Sequence, residues 1–179
     1  QDRYAIHNIN TVKGPMTIRW FRKRLIWILH NHSHIVEYNL DTYTMTRTFE
    51  PLRVQHILGF EIAKEHGYIC TPDKIMEIDG SGHIKPIFVP NVVWSCIGFE
   101  NFFRVLLGTT KGHIYKIVNS QCVPYELKHK RALTHVGVIH GLVVAIDEEE
   151  ITLYHDDNVF MKFELFPDKI IRFQYDIYG

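Results

Sequence analysis

The sequence predicts an all-β repeat protein, a β-propeller segment of about four blades with four antiparallel strands each. Three observations predict it. A short apolar phrase recurs four times, as HIVEY at 34–38, KIMEI at 74–78, HIYKI at 113–117 and EITLY at 150–154. Its anchors, Ile35, Ile75, Ile114 and Ile151, are 40, 39 and 37 residues apart. Around each phrase lie short segments rich in Val, Ile, Tyr, Phe and Thr, separated by turn residues, which is strand composition. No segment holds an i, i+3, i+4, i+7 apolar stripe over three turns, so no helix is expected. A β-sandwich of unrelated strands has no reason to repeat at this spacing.

The elements follow in order. Blade 1 covers about 17–50, with strands at 17–21, 24–30, 34–40 and 44–50. Blade 2 covers 56–89, with strands at 56–62, 68–71, 74–78 and 83–89. Blade 3 covers 93–127 (93–99, 103–109, 113–118, 122–127), and blade 4 covers 132–165 (132–138, 141–146, 150–154, 158–165). Asp79-Gly80-Ser81-Gly82 and Asp156-Asp157-Asn158 suit tight hairpins. Pro51, Pro90 and Pro167 close fourth strands, where the chain passes to the next sheet. Residues 3–10 and 170–175 read as end strands of flanking blades, so the four repeats are expected to be part of a larger propeller.

Composition bounds the function. Of 179 residues, 46% are hydrophobic and 22% charged, as in ordinary globular domains. Lys plus Arg and Asp plus Glu both count 20, so no overall field draws in nucleic acid or anionic membrane. Cys70, Cys96 and Cys122 form no C-x-x-C pair, and their odd number favours an intracellular setting, cytoplasmic or nuclear. No apolar run has the length of a membrane helix, and no signal-peptide pattern opens the chain, so no membrane association is expected.

Some residues resemble a known family. Thr71-Pro72-Asp73-Lys74-Ile75-Met76-Glu77-Ile78-Asp79 resembles the stretch that leads into the third strand of a WD40 repeat and ends at its Trp-Asp pair, with Ile78 in the Trp place and Asp79 matching the Asp. Tyr38-Asn39 stands there in the first repeat, which continues through Leu40-Asp41 to Arg47-Thr48-Phe49-Glu50, similar to a WD40 fourth strand. No repeat has Trp-Asp itself: the third ends Ile117-Val118 and the fourth Tyr154-His155. Gly82-His83 and Gly112-His113 precede a fourth and a third strand, whereas the family's Gly-His precedes the first. The family's buried His–Ser–Asp–Trp network is therefore not expected at those pairs. The chain resembles a degenerate WD40-like propeller of the kind found in large eukaryotic scaffolds. That resemblance implies a non-enzymatic protein–protein interaction scaffold within a multi-subunit assembly, without a cofactor. Contacts are expected through the loops at 30–34, 109–112, 128–131 and 147–150, and the ring is expected to be completed by another chain or segment.

Four constellations are candidates for chemistry. His30, His32 and His34 alternate, so on a strand they share a face, and three imidazoles can bind zinc, copper or nickel. They fall at a predicted turn, where strand geometry breaks and an exposed loop is the simpler account. A basic cluster, Lys128, His129, Lys130 and Arg131, and an acidic one, Asp147, Glu148, Glu149 and Glu150, belong to loop types that share one face of a propeller. They are expected to neutralise each other in part; otherwise each is a charged rim for a partner protein. Nucleic-acid binding through 128–131 is a weaker alternative, because exposed aromatics do not interleave with the cluster. Phe102 and Phe103, adjacent at a hairpin tip, cannot both point inward and are candidates for protein contact. Trp20, Trp27 and Trp94 are expected to pack between blades. No G-x-S-x-G, H-E-x-x-H or Gly-rich phosphate loop is present, and Ser95-Cys96 falls in an inner strand, so no enzyme is predicted.

Overall fold

The computed structural model describes residues 14–165, and among them are sixteen strands and no helix. Blade 1 holds β1 (Met16–Arg22), β2 (Leu25–His30), β3 (His34–Asn39) and β4 (Thr44–Thr48). Blade 2 holds β5 (Gly59–Ala63), β6 (His66–Cys70), β7 (Ile75–Ile78) and β8 (Ile84–Pro86). Blade 3 holds β9 (Trp94–Asn101), β10 (Arg104–Thr109), β11 (His113–Val118) and β12 (Gln121–Lys128). Blade 4 holds β13 (His135–Ile139), β14 (Leu142–Ile146), β15 (Glu150–His155) and β16 (Asn158–Glu164). Each predicted segment in this range is a strand, with ends displaced by at most three residues. The expected end strands at 3–10 and 170–175, and Pro167, lie outside the described residues.

Each blade is a four-stranded antiparallel meander whose strands pair in chain order. Register follows from the turns. Lys64-Glu65, Asn119-Ser120 and His140-Gly141 close two-residue hairpins with both residues at positive φ, the turn whose twist matches that of the flanking strands. The turn between second and third strands is built differently. His30, Thr71, Thr109 and Asp147 begin it in blades 1 to 4, and all four are buried polar residues. Thr71 Oγ1 accepts the Lys74 amide at 3.1 Å, and Thr109 Oγ1 accepts the His113 amide at 2.9 Å. A short polar side chain thus supplies the acceptor that the bent backbone lacks.

The chain divides between Val54 and Gln55 into two compact units. In the second unit the first strands β5, β9 and β13 are neighbours, and two apolar clusters join the blades. Tyr68, Cys70 and Ile75 of blade 2 pack with Trp94, Val105 and Leu107 of blade 3. Cys96, Leu106 and Ile114 of blade 3 pack with Val136, Val143 and Ala145 of blade 4. Strands β9 and β13 approach so closely that a Cβ on Gly98 would meet the Val136 carbonyl. All three cysteines are free, and burial pushes the Cys96 thiol up to about 12, leaving it protonated and unsuited to nucleophilic work.

The first unit has its own core. Trp27 stacks on Phe21 at 4.1 Å and meets Phe49 edge-on at 4.8 Å. Trp27 and Trp94 are buried as expected, but Trp20 is 47% exposed. Trp20 pairs with Ile26 on one face of β1 together with Met16 and Ile18, and these three β1 side chains are each about half exposed.

Beside Trp27 lies a buried carboxylate. Glu37 accepts hydrogen bonds from Trp27 Nε1 (2.8 Å), Thr46 Oγ1 (2.7 Å) and Arg47 Nη2 (3.0 Å). Burial alone would raise its pKa, but these donors and the Arg47 charge outweigh it and hold the carboxyl below its ordinary range. Blade 2 repeats the pattern across its strands as Tyr68, Glu77 and Lys85. Lys116 and Leu153 take the glutamate's place in blades 3 and 4. Glu37→Gln leaves one of three donors facing an amide NH2 and is expected to cost about 2 kcal/mol. The urea midpoint followed by tryptophan fluorescence measures it, and an unchanged midpoint would show that the charge is not used. Because the folded pKa is depressed, this stabilisation is complete above the ordinary carboxylate range. It is lost as pH falls through the folded value.

Candidate functional site

A buried polar network in the second unit joins the link between blades 3 and 4 to the turn between β14 and β15. The sequence places His129 inside a basic run and Asp147 inside an acidic one, yet both side chains are 1% exposed. His129 Nε2 lies 2.6 Å from Asp147 Oδ2, and His129 Nδ1 lies 2.8 Å from the Tyr154 hydroxyl. Asp147 Oδ1 accepts the amides of Glu149 at 2.7 Å and Glu150 at 2.8 Å. The His129 amide donates to the Gly112 carbonyl at 2.8 Å, so the turn of blade 3 is tied in as well.

The electrostatics are those of a closed network. Burial would raise the Asp147 pKa, but the His129 hydrogen bond and the two amides outweigh it and hold it below the ordinary range. Burial, with the charges of Glu150 and Asp147, pushes the Tyr154 phenol up. The phenol therefore stays protonated; it shares a hydrogen bond with His129 Nδ1, and Nε2 shares one with the carboxylate. Both ring nitrogens are used. Arg131 closes the outer side, 2.7 Å from Glu149, 3.7 Å from Asp147 and 3.9 Å from Glu150. Lys162 adds a 3.2 Å contact to Glu150.

His129, Asp147 and Glu150 offer ligand atoms within 4.8 Å of one another, the one such group among the described residues. A cation there would have to break the 2.6 Å hydrogen bond and sit beside the Arg131 guanidinium. The set suits a latch between loops better than a metal centre.

The other predicted residues fall as follows. His30 and His34 pair across the β2–β3 hairpin with stacked rings 5.5 Å apart, while His32 rides on the turn at φ 53° and is exposed. The three imidazoles do not converge, because the turn breaks the alternation that would align them. His30 is buried, and burial and then His34 lower its pKa. Asp147, expected on a charged rim, is instead in the interior. Arg131 and Glu149 pair with each other, as the partial neutralisation of the two clusters requires, and Lys128, Lys130 and Glu148 are exposed. Phe102 and Phe103 are 50% and 68% exposed at the β9–β10 tip. That tip is held by the Asn101 side chain, which accepts the Phe103 amide at 2.9 Å, and by the Lys64 amide of blade 2 bonding to the Phe102 carbonyl.

The His129–Asp147–Tyr154 set was not legible from either charged run. A signal for half of it lies in the repeats, since a polar residue stands at the end of the apolar second strand or just after it in every blade: His30, Thr71, Thr109, Asp147.

No known family matches the chain by sequence, and no curated protein does. Solved structures match in shape. Virginiamycin B lyase from Staphylococcus aureus superposes over 86% of this chain and 55% of its own, with 12% identity and a TM-score of 0.62. Hydrazine synthase of Kuenenia stuttgartiensis matches over 89% of this chain and 51% of its own, with 16% identity and a TM-score of 0.64. Both are propeller-like. The fold is a β-propeller. The computationally designed protein Ika4 matches over 88% of this chain and 96% of its own, at 13% identity and a TM-score of 0.60. The chain spans about half the length of the two natural proteins. At these identities the likeness is one of fold.

Proposed function

We propose that this chain is a non-enzymatic protein-interaction scaffold of the WD40-like kind, working within a larger assembly. The carrying observation is the pair Phe102 and Phe103, large apolar side chains held in water on a hairpin whose backbone is pinned from both sides. Exposed aromatics on a rigid tip lose little entropy on binding, which makes them effective anchors for a protein partner. The polar network at His129 supports the same reading, since its groups face one another rather than a cleft. It stiffens the loops at 109–112, 128–131 and 147–150, whose outer residues Lys128, Lys130, Glu148 and Glu149 offer a charged rim.

A photo-crosslinking aromatic in place of Phe103, in cells that express the chain, tests this. A discrete protein adduct is expected, and Phe102→Ser with Phe103→Ser is expected to weaken binding of the captured partner at least about tenfold. A probe at 103 that captures nothing, with a second at Lys130 also silent, would contradict the proposal.

A further inference from the structure

The open edge of blade 4 is unlike those of the other blades. Each blade ends in its fourth strand, whose outer side pairs with no strand among the described residues. Such an edge invites another strand, and three of the four are built to refuse one. β8 is three residues long and ends in Pro86, β12 holds Pro124, and β4 is polar but for Met45. β16 runs for seven residues without proline, and all seven are exposed. Val159, Phe160, Met161 and Phe163 put large apolar side chains in water on both of its faces, at 51%, 60%, 43% and 48% exposure. A strand apolar on both faces has the composition of a sheet interior rather than of a border.

The ladder fixes which groups this edge offers. A bulge after Leu153 leaves Phe160 unmatched, and from Met161 onward the pairing with β15 is regular. The Leu165 amide donates to the Glu149 carbonyl at 2.7 Å. Peptide groups alternate sides along a strand, so those of Phe163 also point at β15, and those of Lys162 and Glu164 point outward. Side chains alternate between the two faces: Met161, Phe163 and Leu165 share one, Lys162 and Glu164 the other. Chemically, Met161-Lys162-Phe163-Glu164-Leu165 is symmetric about its centre, with apolar ends and opposite charges flanking the aromatic. Glu164 stands directly opposite Glu150, a like-charge pair that weakens a ladder. Lys162 goes to Glu150 at 3.2 Å, and Glu164 has no cationic partner among the described residues.

We infer that two copies of this chain pair antiparallel through β16, about a two-fold axis at Phe163, to make one continuous sheet of two blades. In this register Lys162 lies opposite Glu164 of the second copy, and Glu164 opposite its Lys162. These are the residues whose peptide groups point outward, so the same pairs exchange N–H···O bonds. Phe163 meets its own counterpart, and Met161 meets Leu165, in one apolar row. The neighbouring registers, centred on Lys162 or on Glu164, would set like charges together. The first strands β5, β9 and β13 neighbour one another, which leaves β16 at the periphery, within reach of a second copy. A two-fold joint occupies the edge in both copies, so association stops at two chains. A single strand pair is a small interface, so the dimer is expected to depend on concentration. This goes beyond the scaffold reading and uses a surface separate from the aromatic tip.

Sedimentation equilibrium of the full chain over a range of concentrations is the test. The mass is expected to rise from 21.1 kDa to twice that value. Lys162→Glu and Glu164→Lys each set like charges opposite one another on both sides of the axis, and each is expected to raise the dimer dissociation constant at least about tenfold. Both positions are exposed, so the circular dichroism spectrum is expected to be unchanged. The double variant exchanges the charges and is expected to recover dimerisation, as is an equal mixture of the two single variants. Phe163→Cys reads the register itself. Its thiol would face the same thiol of the second copy across a pair with Cα atoms about 4.5 Å apart, so mild oxidation is expected to give a disulfide-linked dimer. A wild type that keeps the mass of one chain at every concentration overturns the inference. So does a dimer that neither charge reversal weakens, a double variant and mixture that stay monomeric, or a Phe163→Cys chain that oxidation leaves single. None of these results bears on capture at Phe103, so the two proposals fail separately.

Discussion

Gly98→Ala is expected to destabilise the second unit by about 3 kcal/mol, lowering its melting temperature by about 6–12 °C. The added methyl has nowhere to go. Its carbon would overlap the Val136 carbonyl, a backbone group of the adjoining first strand that cannot rotate away as a side chain could. To admit it, β9 and β13 must separate. The cluster of Cys96, Leu106, Val136 and Ala145 that lies between the blades would then lose packing along its length. Gly141→Ala is the control. Gly141 sits at φ 79° with nothing within 4 Å of an added Cβ, so it reports backbone strain alone, about 1 kcal/mol. Urea titration of the two variants distinguishes the effects. A Gly98→Ala loss no larger than that of Gly141→Ala would mean that the first strands separate freely.

His129→Ala is expected to cost about 3–4 kcal/mol. The substitution removes the hydrogen-bond partner at 2.6 Å from a carboxylate that is 1% exposed, and it leaves the Tyr154 hydroxyl without its partner. Two buried polar groups then face a void. Arg131, at 3.7 Å, is too distant and too exposed to replace the imidazole. The double variant His129→Ala with Asp147→Ala is expected to be less destabilised than the two single effects combined, since no charge remains buried without a partner. The acid side follows from the depressed Asp147 pKa. Its stabilisation is complete above the ordinary carboxylate range and lost as pH falls through the lower folded value. An acid titration of stability should therefore lose a step in the Asp147 variant. Equal acid sensitivity in wild type and variant would falsify the role given to this carboxylate.

The fold was legible because two independent signals coincide. Ile35, Ile75, Ile114 and Ile151 fix the period, and the turn residues between segments fix the count of strands within it. Charge runs, in contrast, carry no information about depth. Lys128-His129-Lys130-Arg131 looks like one solvated loop, yet its second residue is buried and its neighbours are not, because an extended backbone sends successive side chains to opposite sides. Asp147 heads a run of four acids, and it alone faces inward because it also starts the turn. In the histidine trio the expected turn ends the alternation, at Asn31 and His32 with φ 46° and 53°. Trp20 was expected to pack between blades because it falls in a first strand, yet it is 47% exposed.

Among the described residues no strand leaves its own meander: β1 to β4, and likewise in each later sheet, pair with sequence neighbours. This has a consequence for how such a chain forms and changes. Contacts within a sheet are local, so each can collapse as it emerges during synthesis without waiting for distant segments. Coupling passes through adjacent sheets only, as in a one-dimensional array, and folding can begin in any one of them. A genetic duplication or loss of about forty residues adds or removes one unit without rethreading the rest. The number of blades is then free to drift.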